Sequence, residues 1–273
     1  MNDRPIGIFD SGLGGLTVLN AIHKLLPEEN LVYFGDSGRA PYGTKSKETI
    51  IKYTFQDINF LLSQNVKMVV IACNTASACS LESVRKAYDI PIVEVVGPGA
   101  RAAARATQSG HIGVIGTPAT IASGVYERAI KDILPECRCE KKACPLFVPL
   151  VEEGWWNHEI SRLVAEEYLG KMKAAGVDSV VLGCTHYPLL SEVIQKVMGD
   201  QVVLINSAKE VALAVRESLE RLGARRDSKD VPGAVKFYTS DSVDKFASLA
   251  DMFLESPVAP VEKVEIEKEK DRP

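Results

Sequence analysis

The chain has 273 residues, 46 % hydrophobic and 25 % charged, an ordinary globular composition that suits one large or two modest domains. Lys and Arg number 32 against 36 Asp and Glu, so the net charge is −4 and no basic field invites nucleic acid or an anionic membrane. Apolar runs such as MVVIAC fall far short of a bilayer span, and MNDRPIGIFD lacks the charged start and long apolar segment of a signal peptide. A cytoplasmic protein is expected, with its six cysteines as reduced thiols.

In chain order, short and nearly all-apolar strands are predicted at residues 5–9, 31–35, 68–72, 92–95, 111–115, 179–183, 202–205 and 235–238. Helical patterns such as 44–63, 119–134, 160–175 and 209–222 lie between them. This alternation implies an α/β fold with doubly wound parallel sheets covered on both faces. The chain also repeats itself. NVKMVVIAC (65–73) aligns with GVDSVVLGC (176–184) at an offset of 111, and IGIFDS (6–11) with IGVIGT (112–117) at an offset of 106. Two matched elements in the same order predict two pseudo-symmetric halves facing each other across a cleft. Open parallel sheets bind ligands beyond the carboxyl ends of their strands. Cys73, Cys184, Asp10, Ser11 and Thr117 all fall at such ends, so they are expected to converge on that cleft. The last 17 residues, PVAPVEKVEIEKEKDRP, carry nine charges and three prolines and read as a flexible tail over 257–273.

ECRCEKKAC holds Cys137, Cys139 and Cys144, which read as incidental thiols in a solvated turn. A structural zinc needs four ligands, and no His or fourth Cys lies nearby, so no metal site is expected. DSGLGGLTVL (10–19) follows a strand and opens a helix, where phosphate loops sit. A dinucleotide fingerprint counted from Gly12 needs glycine where Thr17 stands, and Gly-Lys-Ser/Thr is absent. What remains is a turn whose N–H groups can hold a smaller anion such as a carboxylate, or simply a turn. YFGDSGRAPYGTKS (33–46) likewise reads either as turn chemistry or as a lip offering backbone and phenol hydrogen bonds to a ligand.

Either cysteine alone reads as a small buried hydrophobe. Two of them are harder to dismiss, each ending a strand, with Asn74-Thr75 and Thr185-His186 opening helices whose N–H groups favour a thiolate. Bringing a thiol from its usual range to neutrality takes about 2 kcal/mol, and burial opposes it. A nucleophilic hydrolase would leave one thiol idle. Inversion at an sp³ carbon uses both, a base on one face and an acid on the other, with roles exchanged by direction.

Five collinear motifs, FDSGLGGL (9–16), GDSGRAPYG (35–43), CNTASA (73–78), IGVIGTPATI (112–121) and GCTHYPLL (183–190), resemble the glutamate racemases of the cofactor-independent aspartate/glutamate racemase superfamily. The match runs from about residue 5 to 255. CTHYP is similar to the glutamate enzymes, because aspartate racemases typically carry Glu where this chain has His186; Gly38 departs from the family's usual Ala. The resemblance implies two α/β domains, 1–97 plus 207–256 and 98–206, and racemisation of glutamate without a cofactor. It implies that Cys73 deprotonates D-glutamate and Cys184 L-glutamate, with Asp10, Glu152 and His186 tuning the thiols. Substrate-holding positions would be Asp10, Ser11, Pro41, Tyr42, Gly43, Asn74, Thr75, Thr117, Thr185 and His186. A homodimer supplying D-glutamate for peptidoglycan is the implied setting. Glu152, beside Glu153, also reads as solvated helix capping, while His23, His111 and His158 match no motif. The alternatives are racemisation of another acidic amino acid such as aspartate, and a two-lobed thiol redox or binding protein without turnover.

Overall fold

The computed structural model describes residues 2–227, 231–250, 253–254 and 260–266. The first half of the chain alternates β1 (Ile6–Asp10), α1 (Leu16–Leu25), β2 (Leu31–Gly35), α2 (Lys47–Ser63), β3 (Met68–Ile71), α3 (Asn74–Ala87), β4 (Ile92–Glu94) and α4 (Val96–Ala106). Then follow β5 (His111–Gly116), α5 (Pro118–Ser123), α6 (Val125–Lys131), β6 (Arg138–Ala143), α7 (Phe147–Glu152), α8 (Glu159–Ala174), β7 (Ser179–Gly183), α9 (Ser191–Met198) and β8 (Val203–Ile205). The chain closes with α10 (Ser207–Arg221), β9 (Val235–Thr239), α11 (Val243–Ala250) and β10 (Val261–Lys263).

The strands form two sheets, ordered β10-β9-β2-β1-β3-β4 and β6-β5-β7-β8, and every recorded pairing is parallel. The α/β, two-sheet expectation holds. The central strands β1, β2, β3 and β7 are buried along their whole length, as apolar strands covered on both faces must be. The internal repeat is visible in the register itself. Ile6 stands opposite Met68 on β1 and β3, and Ile112 stands opposite Ser179 on β5 and β7. Adding 106 to the first member and 111 to the second converts one pair into the other, so the halves repeat residue by residue. Cys73 follows β3 and Cys184 follows β7, at equivalent strand ends.

Three expectations need correction. The single helix expected over 119–134 is two, because Gly124 takes φ +64 and ends α5, a left-handed conformation open to glycine without penalty. ECRCEKKAC is not a turn, since Arg138–Ala143 forms β6 at the sheet edge, pairing among the described residues with β5 alone. Edge strands tolerate charge, so the apolar pattern that marks central strands is missing there. The tail expected over 257–273 contains β10, which pairs with β9, and buried Ile266, which packs among Phe9, Tyr238 and their neighbours; residues 257–259 and 267–273 lie outside the described ones.

After β8 the chain returns to the first sheet through α10, which packs on α1 and α4. The return is fastened by a buried ion pair. Lys67 Nζ donates to Glu29 Oε2 at 2.6 Å and to the carbonyls of Asn2 and Ala224, each at 2.9 Å. Glu29 Oε1 accepts the Arg226 N–H at 2.9 Å. Removing one member of such a pair strands the other charge, at about 3–5 kcal/mol. Lys67→Met should lose about that much in urea unfolding, and the double variant Glu29→Leu/Lys67→Met should recover most of it; equal losses in both would contradict this account.

Candidate active site

The Gly-rich turn after β1 holds an anion, and the anion is its own. Asp10, fully buried, accepts the Gly12 N–H at Oδ2 (3.1 Å) and the Thr185 hydroxyl at Oδ1 (3.3 Å). Burial pushes its carboxyl up, against the opposing pull of His186 and the Gly15 and Gly12 amides. The glycines also permit close approach. A Cβ on Gly14 would sit 2.3 Å from Thr185 Oγ1 and 2.6 Å from His186 Nδ1, and one on Gly15 2.5 Å from Asp10 Cβ. The Gly12 and Gly15 amides are thus taken up by Asp10 within the chain.

Cys73 caps α3, its sulfur accepting the Ala76 N–H at 3.4 Å and lying 3.7 Å from Ser11 Oγ. Burial, and then the neighbouring Asp10 charge, push this thiol up despite the helix N–H. The helix terminus is present, but desolvation wins. Cys184 lies across the seam, its sulfur 3.9 Å from His186 Nδ1. His186 Nε2 is 3.4 Å from Glu152 Oε1, an ion-pair distance without hydrogen-bond alignment. Burial opposes an imidazolium here, but Cys184, Glu152 and Asp10 outweigh it and push His186 up to about 10. The contact with His186, working against partial burial, holds the Glu152 carboxyl low. The helix expected at Thr185-His186 begins as a 3₁₀ turn, Tyr187–Leu190, before α9.

These groups line a cavity of about 30 Å³ between the carboxyl ends of the two sheets. From the first sheet come Ser11, Pro41, Tyr42, Gly43, Cys73, Asn74 and Thr75; from the second come Thr117, Glu152, Cys184, Thr185 and His186. Asp10 alone among the expected residues does not line it and sits beneath. Gly12, Ala40 and Val148 also line it and were not singled out from sequence. Gly12 and Ala40 stand inside quoted motifs, whereas nothing in PLFVPLVEE marks Val148. The Tyr42 phenol does not serve a ligand. Its oxygen is bound by Asp36 Oδ2 and, at 2.8 Å, by Asp57 Oδ2, so Tyr42 offers the cavity only ring and backbone. Thr75, Thr117 and Thr120 close the seam with a triangle of hydroxyls at 2.9, 3.0 and 3.3 Å. The cavity has room for roughly two waters, less than an amino acid fills. Among the described residues, no group of three or more His, Cys, Asp or Glu is placed to hold a metal ion.

Two cysteines and a histidine–carboxylate pair thus line one small cavity between the two sheets. Residues 6–215 match the Asp/Glu/hydantoin racemase family. The chain belongs to that family and is an isomerase, an amino-acid racemase. Within the family it stands with the glutamate racemases. It is 48 % identical to the glutamate racemase of Geobacter metallireducens, over 98 % of this chain and 99 % of that one. A glutamate racemase isoform from Bacillus anthracis superposes with a TM-score of 0.93 at 36 % identity, covering 97 % of this chain and 98 % of that one. The Francisella tularensis glutamate racemase, solved in complex with D-glutamate, superposes with a TM-score of 0.91 at 37 % identity, covering 97 % and 99 %.

Two outcomes follow. Because the folded His186 stands above its ordinary 6.5, its stabilising effect is complete below pH 6.5 and lost as pH rises through about 10. The melting-temperature gap between parent and His186→Asn should therefore be widest below pH 6.5 and close toward pH 10. Gly14→Ala should lower kcat/KM by about 10²-fold, because the added carbon displaces Thr185 and His186 from the cavity wall.

Proposed function

We propose that the protein interconverts L- and D-glutamate by a two-base 1,1-proton transfer between Cys73 and Cys184. The observation that carries this reading is that two thiols from repeat-related strand ends, one from each sheet, line one small cavity. In the L-to-D direction the Cys184 thiolate takes the α-proton, and the Cys73 S–H delivers its proton to the opposite face of the carbanionic carbon. One C–H bond breaks and one S–H forms at Cys184, while one S–H breaks and one C–H forms at Cys73. The reverse direction exchanges the roles. A Cys73 held as a thiol by burial and Asp10 suits the acid of the first direction. An incoming ammonium group would offset the Asp10 charge and ease formation of the Cys73 thiolate for the second.

The Glu152–His186 pair supports Cys184, and the Asp10 charge lies beside Cys73. Ser11, Asn74, Thr75, Thr117 and Thr185, with the backbone at Pro41–Gly43, line the cavity and hold the substrate's carboxylates and ammonium, as the family resemblance implies. The family resemblance supports a cytoplasmic homodimer working without a cofactor and supplying D-glutamate for peptidoglycan. Among the described residues, no helix is long and apolar enough to cross a membrane.

The test is L-glutamate incubated in D₂O with EDTA and no added cofactor, following optical rotation and the α-proton signal together. Both should decay, with deuterium entering D-glutamate first. No decay from folded, reduced protein would refute the glutamate reading, and aspartate in the same assay decides the rival substrate. Cys73→Ala and Cys184→Ala should each lower kcat by at least about 10²-fold while remaining folded by circular dichroism. An active Cys73→Ala variant would overturn the two-base scheme.

A further inference from the structure

Asn74 is 2 % exposed and its side-chain nitrogen Nδ2 has no hydrogen-bond partner, although the residue lines the cavity. Its oxygen Oδ1 is taken by the phenol of Tyr126, at 2.5 Å, which reaches over from α6 on the second-sheet side. A phenol must donate its single proton somewhere, and an amide oxygen only accepts. Turning the amide over would leave the Tyr126 proton without an acceptor, because Asn74 Oδ1 is its only hydrogen-bond partner among the described residues. The amide is therefore fixed one way round, with its N–H₂ group left for the cavity.

The protein makes room for this contact. Tyr126 is 2 % exposed, and its ring lies in a slot bordered by glycines from two other elements. A Cβ on Gly99 of α4 would stand 3.3 Å from the ring and 3.4 Å from the phenol oxygen, and one on Gly183 of β7 3.3 Å from the opposite ring edge. Burial also pushes the phenol up, so it stays protonated and keeps donating.

We propose that Tyr126 is a positioning residue that locks the Asn74 amide so that its N–H₂ donates to a carboxylate oxygen of the substrate, and that it does so only when the two halves are closed. The inference rests on the glutamate reading above. Because donor and acceptor come from opposite halves, the Tyr126–Asn74 bond breaks when the cleft opens to admit substrate and re-forms on closing. A substrate carboxylate oxygen accepts from this oriented N–H₂ only in the closed state, so the substrate favours closure through differential interaction with the two states.

The test measures KM and kcat for glutamate in parent, Tyr126→Phe, Asn74→Ala, Asn74→Asp and the double Tyr126→Phe/Asn74→Ala, with melting temperatures as a check on folding. Tyr126→Phe keeps the ring and loses the donor. It should raise KM about tenfold with a smaller change in kcat, because an amide no longer held in place loses about that factor in its bond to the carboxylate. The double variant should be little worse than Asn74→Ala alone. Asn74→Asp still accepts from Tyr126 but cannot donate, so its KM should exceed that of Asn74→Ala. A merely structural role for Tyr126 would give multiplying effects and an Asn74→Asp no worse than Asn74→Ala. A Tyr126→Phe KM within about twofold of the parent, or simple multiplication, would overturn the proposal while parent turnover left the glutamate reading standing. A parent inactive on glutamate would overturn both.

Discussion

The polar groups at the seam between the two sheets are buried, and the rest of the site answers to that constraint. In a medium of low polarizability, each charge needs a partner or must give up its proton. Cys73, beside the Asp10 carboxylate, is held as a thiol. His186, between Cys184, Glu152 and Asp10, is held as a cation. The two walls carry the same sulfur atom beside different side chains, Ser11 at Cys73 and His186 at Cys184.

A second buried network stands behind the first. Arg39 donates to Asp36 at 2.7 Å and Asp57 at 2.9 Å and lies 4.1 Å from the centre of the Tyr53 ring. The Tyr42 phenol has one proton and two carboxylates within reach, so one carboxyl must carry a proton of its own. Burial first, and the adjacent Asp36 charge second, push Asp57 well up and make it that group. Ser240, between β9 and α11, donates to Asp36 at 2.7 Å and accepts the Gly38 N–H at 2.9 Å. The returning end of the chain thereby braces the loop whose Pro41–Gly43 edge forms one lip of the cavity.

Much of the site was legible because strand-end chemistry is local. A buried strand such as VVIAC or VVLGC declares itself by its apolar run, and in a parallel sheet its carboxyl end is where function sits. Twelve of the thirteen residues expected from sequence line the cavity, and the thirteenth, Asp10, lies one layer below. Illegible were features set by partners distant in sequence. β6 and β10 are strands because a neighbour supplies their hydrogen bonds, and their charges hid them. The direction of the Tyr42 phenol depends on Asp57, fifteen residues on, and Tyr126 finds its role only against Asn74, fifty-two residues back.

The sequence by itself determined the alternation of strand and helix, the duplication with its offsets, and the pair of cysteines at matched strand ends, since all of these follow from periodicity and adjacency along the chain. The tertiary structure alone decided which way each polar atom points and which charge survives burial. Those outcomes depend on how little water remains between two surfaces that meet only after folding, and no local pattern along the chain encodes that.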